Sequence, residues 1–299
     1  MARKRSAGRL TLAASHDDPE DKLLLQTQLP DWYLIRQLAV VGGYRQPAPP
    51  LTTFLSLFRW HNETLNIYTH LLPGIYFFMV LCGLSSQPYY LASSTEARLT
   101  MALAYLVCTL CCFCSAAMHL MYPVNAFFLY WLERIDQVGI VLINLGKQMV
   151  DNYILCMLLL RSPQLWLYCA CAISALAIFV SARIMTEPSA GLYWALVYPG
   201  LTNGPIATAV FIYSRFVVAK LSANGVNTDS LNTIAWASFY CTLWVVAAGN
   251  FYMHQFPEKY WNPRRVFDYF SSHTMMHSTT IAGILAALQS LPLFASVEG

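Results

Sequence analysis

The chain has 299 residues, of which 57% are hydrophobic and only 11% charged, and its mean hydropathy is +0.46. Soluble domains carry about 25% charged residues, so this composition excludes a chain that buries its apolar surface in one water-facing core; a bilayer solvates that surface, and helices satisfy their backbone groups internally. The net charge of +3 is small and gathers in the first 60 residues, which argues against a nucleic-acid partner and bears on orientation instead.

In chain order, Arg3, Lys4, Arg5 and Arg9 precede a short apolar run and then Asp17, Asp18, Glu20 and Asp21. This reads as a disordered cytosolic tail over 1–42 without a signal peptide, the acidic cluster opposing a mitochondrial presequence. Leu51, Phe54, Leu55, Phe58 and Trp60 follow helical spacing after Pro47, Pro49 and Pro50, which predicts a short helix lying in the membrane interface before the first span.

A hydrocarbon core about 30 Å thick needs about 20 apolar residues per helix. Stretches of that length recur near 68–86, 98–121, 133–157, 163–184, 190–213, 232–254 and 267–291. They predict an all-α, integral membrane seven-helix bundle over 43–291, with a short tail over 292–299.

Thirteen Lys and Arg fall before the first span or at Arg134, Arg183, Lys259, Arg264 and Arg265; four, Arg98, Arg161, Arg215 and Lys220, fall on the other side. Positive charge favours the inside, so the N-terminus is expected to be cytosolic and the C-terminus extracellular. The sequon Asn62-Glu63-Thr64 would then face the cytosol unmodified. The nine cysteines all lie in apolar stretches and are expected to be buried small hydrophobes. Trp131, Trp166, Trp194, Trp244 and Trp261 lie near span ends, as an interfacial belt requires.

Ionisable groups inside apolar spans are costly and usually functional; here His119, Asp136, Lys147, Asp151, His273 and His277 stand out. His273 and His277 are four apart, which sets both imidazoles on one helical face about 6 Å apart along the axis. Ser115 and His119 repeat that spacing. With the predicted topology, His119 ends span two while Asp136, His273 and His277 begin spans three and seven, so four candidate ligands from distant segments share one depth in the inner leaflet. Three histidines with a position open to water form a catalytic-type zinc geometry. Asp136 is expected to orient or deprotonate a water there, and Ser115 to hydrogen-bond around the site or contact an oxyanion. The alternative is that these residues only link helices by hydrogen bonds. Lys147 and Asp151 are expected to pair on one helix face; a Schiff-base role for Lys147 has no other support. His61 and His70 flank the start of span one and are expected to hydrogen-bond structurally.

Further strings carry a resemblance: Gly43-Tyr44-Arg45, then His61-Asn62-Glu63-Thr64-Leu65-Asn66-Ile67-Tyr68-Thr69-His70-Leu71-Leu72, Ser115-x3-His119, Asp136, Phe256-Pro257-Glu258-Lys259, Phe267-Asp268 and Ser272-His273-x3-His277. In order and spacing they resemble the progestin and adipoQ receptor (PAQR) family over residues 43–285. Thr69 to Pro73, Tyr198-Pro199 and Asn203-Gly204-Pro205 resemble the membrane progestin receptor branch more than the adiponectin branch. The resemblance implies a seven-helix fold with a cytosolic N-terminus, and zinc held by His119, His273 and His277 with Asp136 beside it. The family is also similar to alkaline ceramidases. This sequence departs from the family at Lys147, where a small or apolar residue is usual, and at Thr274, where Gln is usual.

Two functions follow as expectations. One is a plasma-membrane signalling receptor for a lipid, steroid-like or adiponectin-like hormone ligand, with a downstream signalling partner; an internal membrane is the alternative location. The other is a zinc-dependent ceramidase-like amidohydrolase. A transporter would show broken helices in paired halves, which the sequence lacks.

Overall fold

The structure, a computed structural model, describes residues 22–33 and 38–298. The charged residues expected in the tail before Lys22 lie outside the described residues. Strands β1 (Leu24–Leu25) and β2 (Gly42–Tyr44) pair antiparallel. The helices are α1 (Pro50–Leu55), α2 (Thr64–Gly83), α3 (Pro88–Ala92), α4 (Thr95–Met121), α5 (Ala126–Tyr153), α6 (Pro163–Thr186), α7 (Gly191–Ala223), α8 (Asp229–His254), α9 (Ser272–Leu288) and α10 (Phe294–Glu298).

Among the described residues, six helical stretches are long and apolar enough to cross a membrane: Thr64–Ser86, Thr95–Val124, Pro163–Thr186, Gly191–Ala223, Asp229–His254 and Ser272–Glu298. They correspond to six of the seven predicted spans, and they make the protein an integral membrane protein. The remaining long helix, α5, has 28 residues. It falls outside the apolar six because Glu133, Arg134, Asp136, Lys147 and Asp151 dilute its hydropathy, yet all of these but Glu133 are buried.

Local sequence chemistry sets most boundaries. The Ser94 Oγ accepts from the Ala97 N–H at 3.2 Å and the Asn125 Oδ1 from the Phe128 N–H at 3.0 Å, capping α4 and α5. Pro50 opens α1, as predicted, and leaves Leu51, Phe54 and Leu55 exposed. Helix α7 runs to Ala223, past the predicted 213, because nothing breaks it before Asn224-Gly225, where Gly225 turns left-handed at φ +75°. Helix α9 starts at Ser272, later than the predicted 267, because Pro263–Asp268 forms a 3-10 segment.

The packing closes a ring. Helix α4 lies along α2 and α5, α5 along α7, α7 along α8, α8 along α9, and α9 returns to α2; α6 packs outside against α5 and α7. Phe77, Met101, Tyr153, Ile154, Leu291 and Phe294 belong to its largest apolar cluster. Cys108, Cys111, Cys112, Cys156 and Cys241 are buried as expected, whereas Cys82 and Cys171 are exposed on the outer surface, because their helix faces point away from the ring. Such a face meets lipid in a membrane, where a thiol still behaves as a small apolar group.

Both ends of the described residues pack onto the bundle. Tyr33 and Tyr44 are buried with Met118 and Tyr122, and the Tyr33 hydroxyl donates to the Arg45 carbonyl at 2.9 Å. The Gly42 N–H donates to the buried Asp268 carboxylate at 3.1 Å, tying β2 to the loop before α9. Gly43 is left-handed at φ +81°, and a Cβ there would also meet the Tyr269 ring at 3.2 Å. At the other end, the Ser94 N–H donates to the Glu298 Oε2 at 2.8 Å, and Phe294 stacks on Tyr153.

Candidate metal centre

Two helices deliver the three histidines. His119 sits in the last turn of α4, while His273 and His277 occupy the first turns of α9. All three are buried, and one ligand nitrogen from each lies within 4.8 Å of the others. The N-terminal turn of α9 is held by Glu258, whose carboxylate accepts the Ser272 N–H at 2.8 Å and the Ser272 hydroxyl at 2.5 Å. An anion at a helix N-terminus is favoured by the helix dipole, and here it fixes the residue next to His273.

The hydrogen bonds define which nitrogen of each ring is available. Glu63 Oε2 lies 2.7 Å from His119 Nδ1. A carboxylate only accepts, so Nδ1 carries the hydrogen and Nε2 keeps its lone pair. The Thr69 hydroxyl donates to the Asn66 carbonyl at 3.0 Å, so its oxygen is left to accept from His277 Nδ1 at 3.2 Å, and His277 Nε2 also keeps its lone pair. His273 Nε2 is 3.3 Å from His119 Nε2. Nitrogens converging in this way need a hydrogen or a cation between them. The donor set suits zinc, which takes imidazole nitrogens at about 2.0–2.1 Å, and ring nitrogens oriented by carboxylate and hydroxyl partners are the usual companions of such a site.

Around this group runs a chain of hydrogen bonds from three helices. The Thr274 hydroxyl donates to Asn66 Oδ1 at 2.6 Å, and Asn66 Nδ2 donates to Glu63 Oε2 at 2.7 Å. Burial alone would raise the Glu63 carboxyl, but the neighbouring His119 and the Asn66 amide outweigh it and hold the group below the usual carboxylate range. Beneath His119, the buried Arg45 guanidinium donates to the His119 carbonyl at 2.6 Å and the Leu120 carbonyl at 2.8 Å, satisfying carbonyls at the α4 C-terminus.

A cavity of about 140 Å³ opens from His273 and His277 into the centre of the ring. Asp136 and Ser115 line it, as do Lys147 on α5 and apolar residues such as Leu196, Val245 and Ile284. Ser115 and Asp136 are therefore brought to the same cavity as two of the histidines. Lys147 and Asp151 form a buried ion pair, and Ser238 donates to Asp151 at 2.5 Å.

Glu63, Asn66, Thr69 and His70 were not selected as site residues. Their signal was present: Glu63, Asn66 and His70 recur at three- and four-residue spacing, which is one helical face. The predicted first span begins at 68, whereas α2 begins at Thr64 with Glu63 as its N-cap, so Glu63 and Asn66 lie ahead of the apolar stretch that the sequence marks. His70 does touch the site, with its ring 4.0 Å from that of His277. Its buried Nδ1 has no hydrogen-bond partner among the described residues and faces the same cavity region.

The role assigned to Glu63 carries a prediction. Replacing Glu63 by Gln keeps the shape but removes the charge that fixes the His119 tautomer, and zinc affinity is expected to fall about 10–100-fold. Competition for the metal against a chelator of known affinity measures this; unchanged affinity would refute the role.

Comparison with known proteins follows the same motifs. A family model described as haemolysin-III related matches residues 58–288. The heptahelical transmembrane protein ADIPOR1 of Oryza sativa subsp. japonica is 46% identical over 59 residues, 20% of this chain and 15% of the relative. The progestin and adipoQ receptor-like protein 1 of Caenorhabditis elegans is 25% identical over 268 residues, 87% of this chain and 58% of the relative. Membrane progestin receptor alpha-B of Danio rerio is 29% identical over 126 residues, 40% of this chain and 34% of the relative. The chain thus spans between 15% and 58% of the length of these relatives.

Proposed function

Because the chain belongs to the haemolysin-III-related family, the progestin and adipoQ receptor family of membrane proteins, we propose that it is a seven-pass signalling receptor for a lipid or steroid-like ligand, with zinc at His119, His273 and His277. The observation that carries this reading is the cavity at the ring's centre, apolar along its walls and opening onto His273 and His277. An amphipathic ligand places its apolar body along Leu196, Val245 and Ile284 and its polar end at the histidines.

The seventh pass is α5. At about 1.5 Å per residue its 28 residues extend about 42 Å, enough to cross a core about 30 Å thick, and Asp136, Lys147 and Asp151 are buried in the ring rather than set against lipid. Charged residues within spans are expected on such interior faces. The Lys and Arg distribution supports a cytosolic N-terminus, an extracellular C-terminus and the metal end of the ring toward the cytosol. The plasma membrane is the proposed location.

Saturable binding of a radiolabelled progestin or long-chain lipid to the purified protein in lipid nanodiscs tests the receptor reading. Ala248 is buried and lines the cavity. Ala248→Trp fills that space and is expected to weaken binding about tenfold or more, since overpacking displaces the ligand or the walls. Failure of every such probe to bind saturably would contradict the reading.

A second reading rests on Ser115 and Asp136 lining the same cavity as His273 and His277: a zinc-dependent amidohydrolase acting on ceramide-like lipids. Zinc supplies a Lewis acid at the reacting carbonyl. Asp136 accepts a proton from the attacking water and returns it to the leaving amine, and the Ser115 hydroxyl donates to the developing oxyanion. Ceramide hydrolysis by the wild type, reduced about 100-fold or more in Asp136→Asn, is the expected result. Hydrolysis that survives the substitution would exclude this site as the catalyst.

A further inference from the structure

The Gly43-Tyr44-Arg45 string, which the proposed function leaves without a role, lies against the metal end of the ring. His119 sits in the last turn of α4, where the closing carbonyls of a helix have no intrahelical partner. The Tyr122 N–H takes up the Met118 carbonyl. The next two carbonyls, those of the buried His119 and Leu120, are taken up by one side chain: Arg45 Nη2 donates to the first at 2.6 Å and Nη1 to the second at 2.8 Å. A forked guanidinium reaches two neighbouring carbonyls at once, and its charge is favoured at a helix C-terminus. Fraying begins at such ends, so the turn that carries a ligand ring is held closed.

Arg45 is itself held from several directions. It is buried, its Nη1 also donates to the Ser56 hydroxyl at 2.7 Å, and its carbonyl accepts from the Tyr33 hydroxyl at 2.9 Å. It follows directly on β2, and β2 is tied to the other parts of the site. The Gly42 N–H donates at 3.1 Å to the buried Asp268, which stands five residues before His273 in the segment leading into α9. The Gly43 carbonyl accepts from the Asn62 N–H at 2.9 Å, and the residue after Asn62 is Glu63, the partner of His119 Nδ1. Four consecutive residues, Gly42 to Arg45, therefore touch the lead-in to α9, the lead-in to α2 and the end of α4. Those three segments supply His273, Glu63 and His119.

We infer that Gly42 to Arg45 is a brace that sets His119 relative to His273 and His277, and that Arg45 is a positioning residue for the metal, an inference that rests on the metal reading proposed above. His119 is gripped twice, its ring by Glu63 and its backbone by Arg45. Without the guanidinium the two buried carbonyls need other donors, and a helix end finds them by unwinding toward water. The backbone under the His119 ring then moves even though Glu63 still reaches Nδ1. A ligand ring that is no longer held to within a fraction of an ångström weakens the whole site.

Titration of the full chain in detergent with cobalt(II) tests this, because cobalt replaces zinc and its visible bands report the number and arrangement of the ligands. The wild type is compared with Arg45→Gln, Arg45→Lys and Ser56→Ala. Tyr153→Phe, which removes a hydrogen bond to Glu298 at the opposite end of the bundle, controls for general destabilisation. Arg45→Gln is expected to lower cobalt affinity about 10–100-fold and to weaken the four-ligand bands. Arg45→Lys keeps the charge without the fork and recovers part of that loss. Ser56→Ala, a small change that loosens the seat of Arg45, is expected to cost about twofold to tenfold, and it decides alone if Arg45→Gln does not fold. Tyr153→Phe keeps the wild-type affinity and bands. Wild-type affinity and bands in Arg45→Gln, or in Ser56→Ala where that variant decides, overturn the inference, as does an equal loss in Tyr153→Phe. A wild type that takes up no cobalt overturns the metal assignment and the inference with it.

Discussion

His277→Ala is expected to leave the protein without its metal, from about one zinc per chain in the wild type to less than about 0.1, because two imidazoles cannot hold zinc in the way that three with oriented tautomers can. Loss of the ring also strips the Thr69 hydroxyl of its donor and opens the wall next to His70. The energetic consequence follows from linkage. A ligand present at about a thousand times its dissociation constant stabilises the state that binds it by about 4 kcal/mol. Chelator treatment should therefore lower the unfolding temperature of the wild type by several degrees and leave His277→Ala unchanged. Elemental analysis and thermal unfolding in detergent, with and without chelator, check both parts; a variant that keeps stoichiometric zinc, or a wild type indifferent to chelation, refutes the assignment.

The second large effect belongs to Lys147. Lys147→Met removes one partner of a buried ion pair and leaves the Asp151 carboxylate with the Ser238 hydroxyl as its remaining side-chain hydrogen-bond donor among the described residues. Breaking such a pair from one side costs about 3–5 kcal/mol, whereas replacing both partners by apolar residues of similar size is often neutral or stabilising. Lys147→Met should therefore destabilise strongly, and Lys147→Met/Asp151→Leu should recover most of the loss. Unfolding midpoints of the three proteins decide the matter. Equal stability of Lys147→Met and the wild type would show that the pair contributes nothing to the fold.

The parts of the structure that were legible in the sequence are those governed by local chemistry. Six apolar stretches translated into six helices because apolar length is the whole physical requirement for crossing a bilayer. The grouping of His119, His273 and His277 was legible because helices of opposite direction bring their ends to one level, and a four-residue spacing fixes two of the rings on one face. Asp136 and Ser115 reached the same cavity for the same reason.

What escaped the sequence depends on which helices touch. Glu63 was quoted within a motif, but its function as the partner of His119 requires α2 to lie against α4, a contact no periodicity reveals. Thr274, the departure from the family's usual residue, proves to donate to Asn66 and so to extend the same chain of hydrogen bonds. The segment over 1–42 reads as a disordered tail, yet Tyr33 within it is buried with Tyr44, Met118 and Tyr122. Cys82 and Cys171 were placed inside by composition alone, which cannot tell a lipid-facing side of a span from a ring-facing one.

The central claim is that the buried histidines hold zinc in a site with one position left open. X-ray absorption at the zinc edge on the protein purified without chelator tests it most directly. The account predicts three imidazole nitrogens at about 2.0–2.1 Å and one lighter oxygen ligand, a pattern that His273→Ala abolishes. Zinc scattering from sulfur at about 2.3 Å, or the same spectrum from the His273→Ala protein, would contradict it.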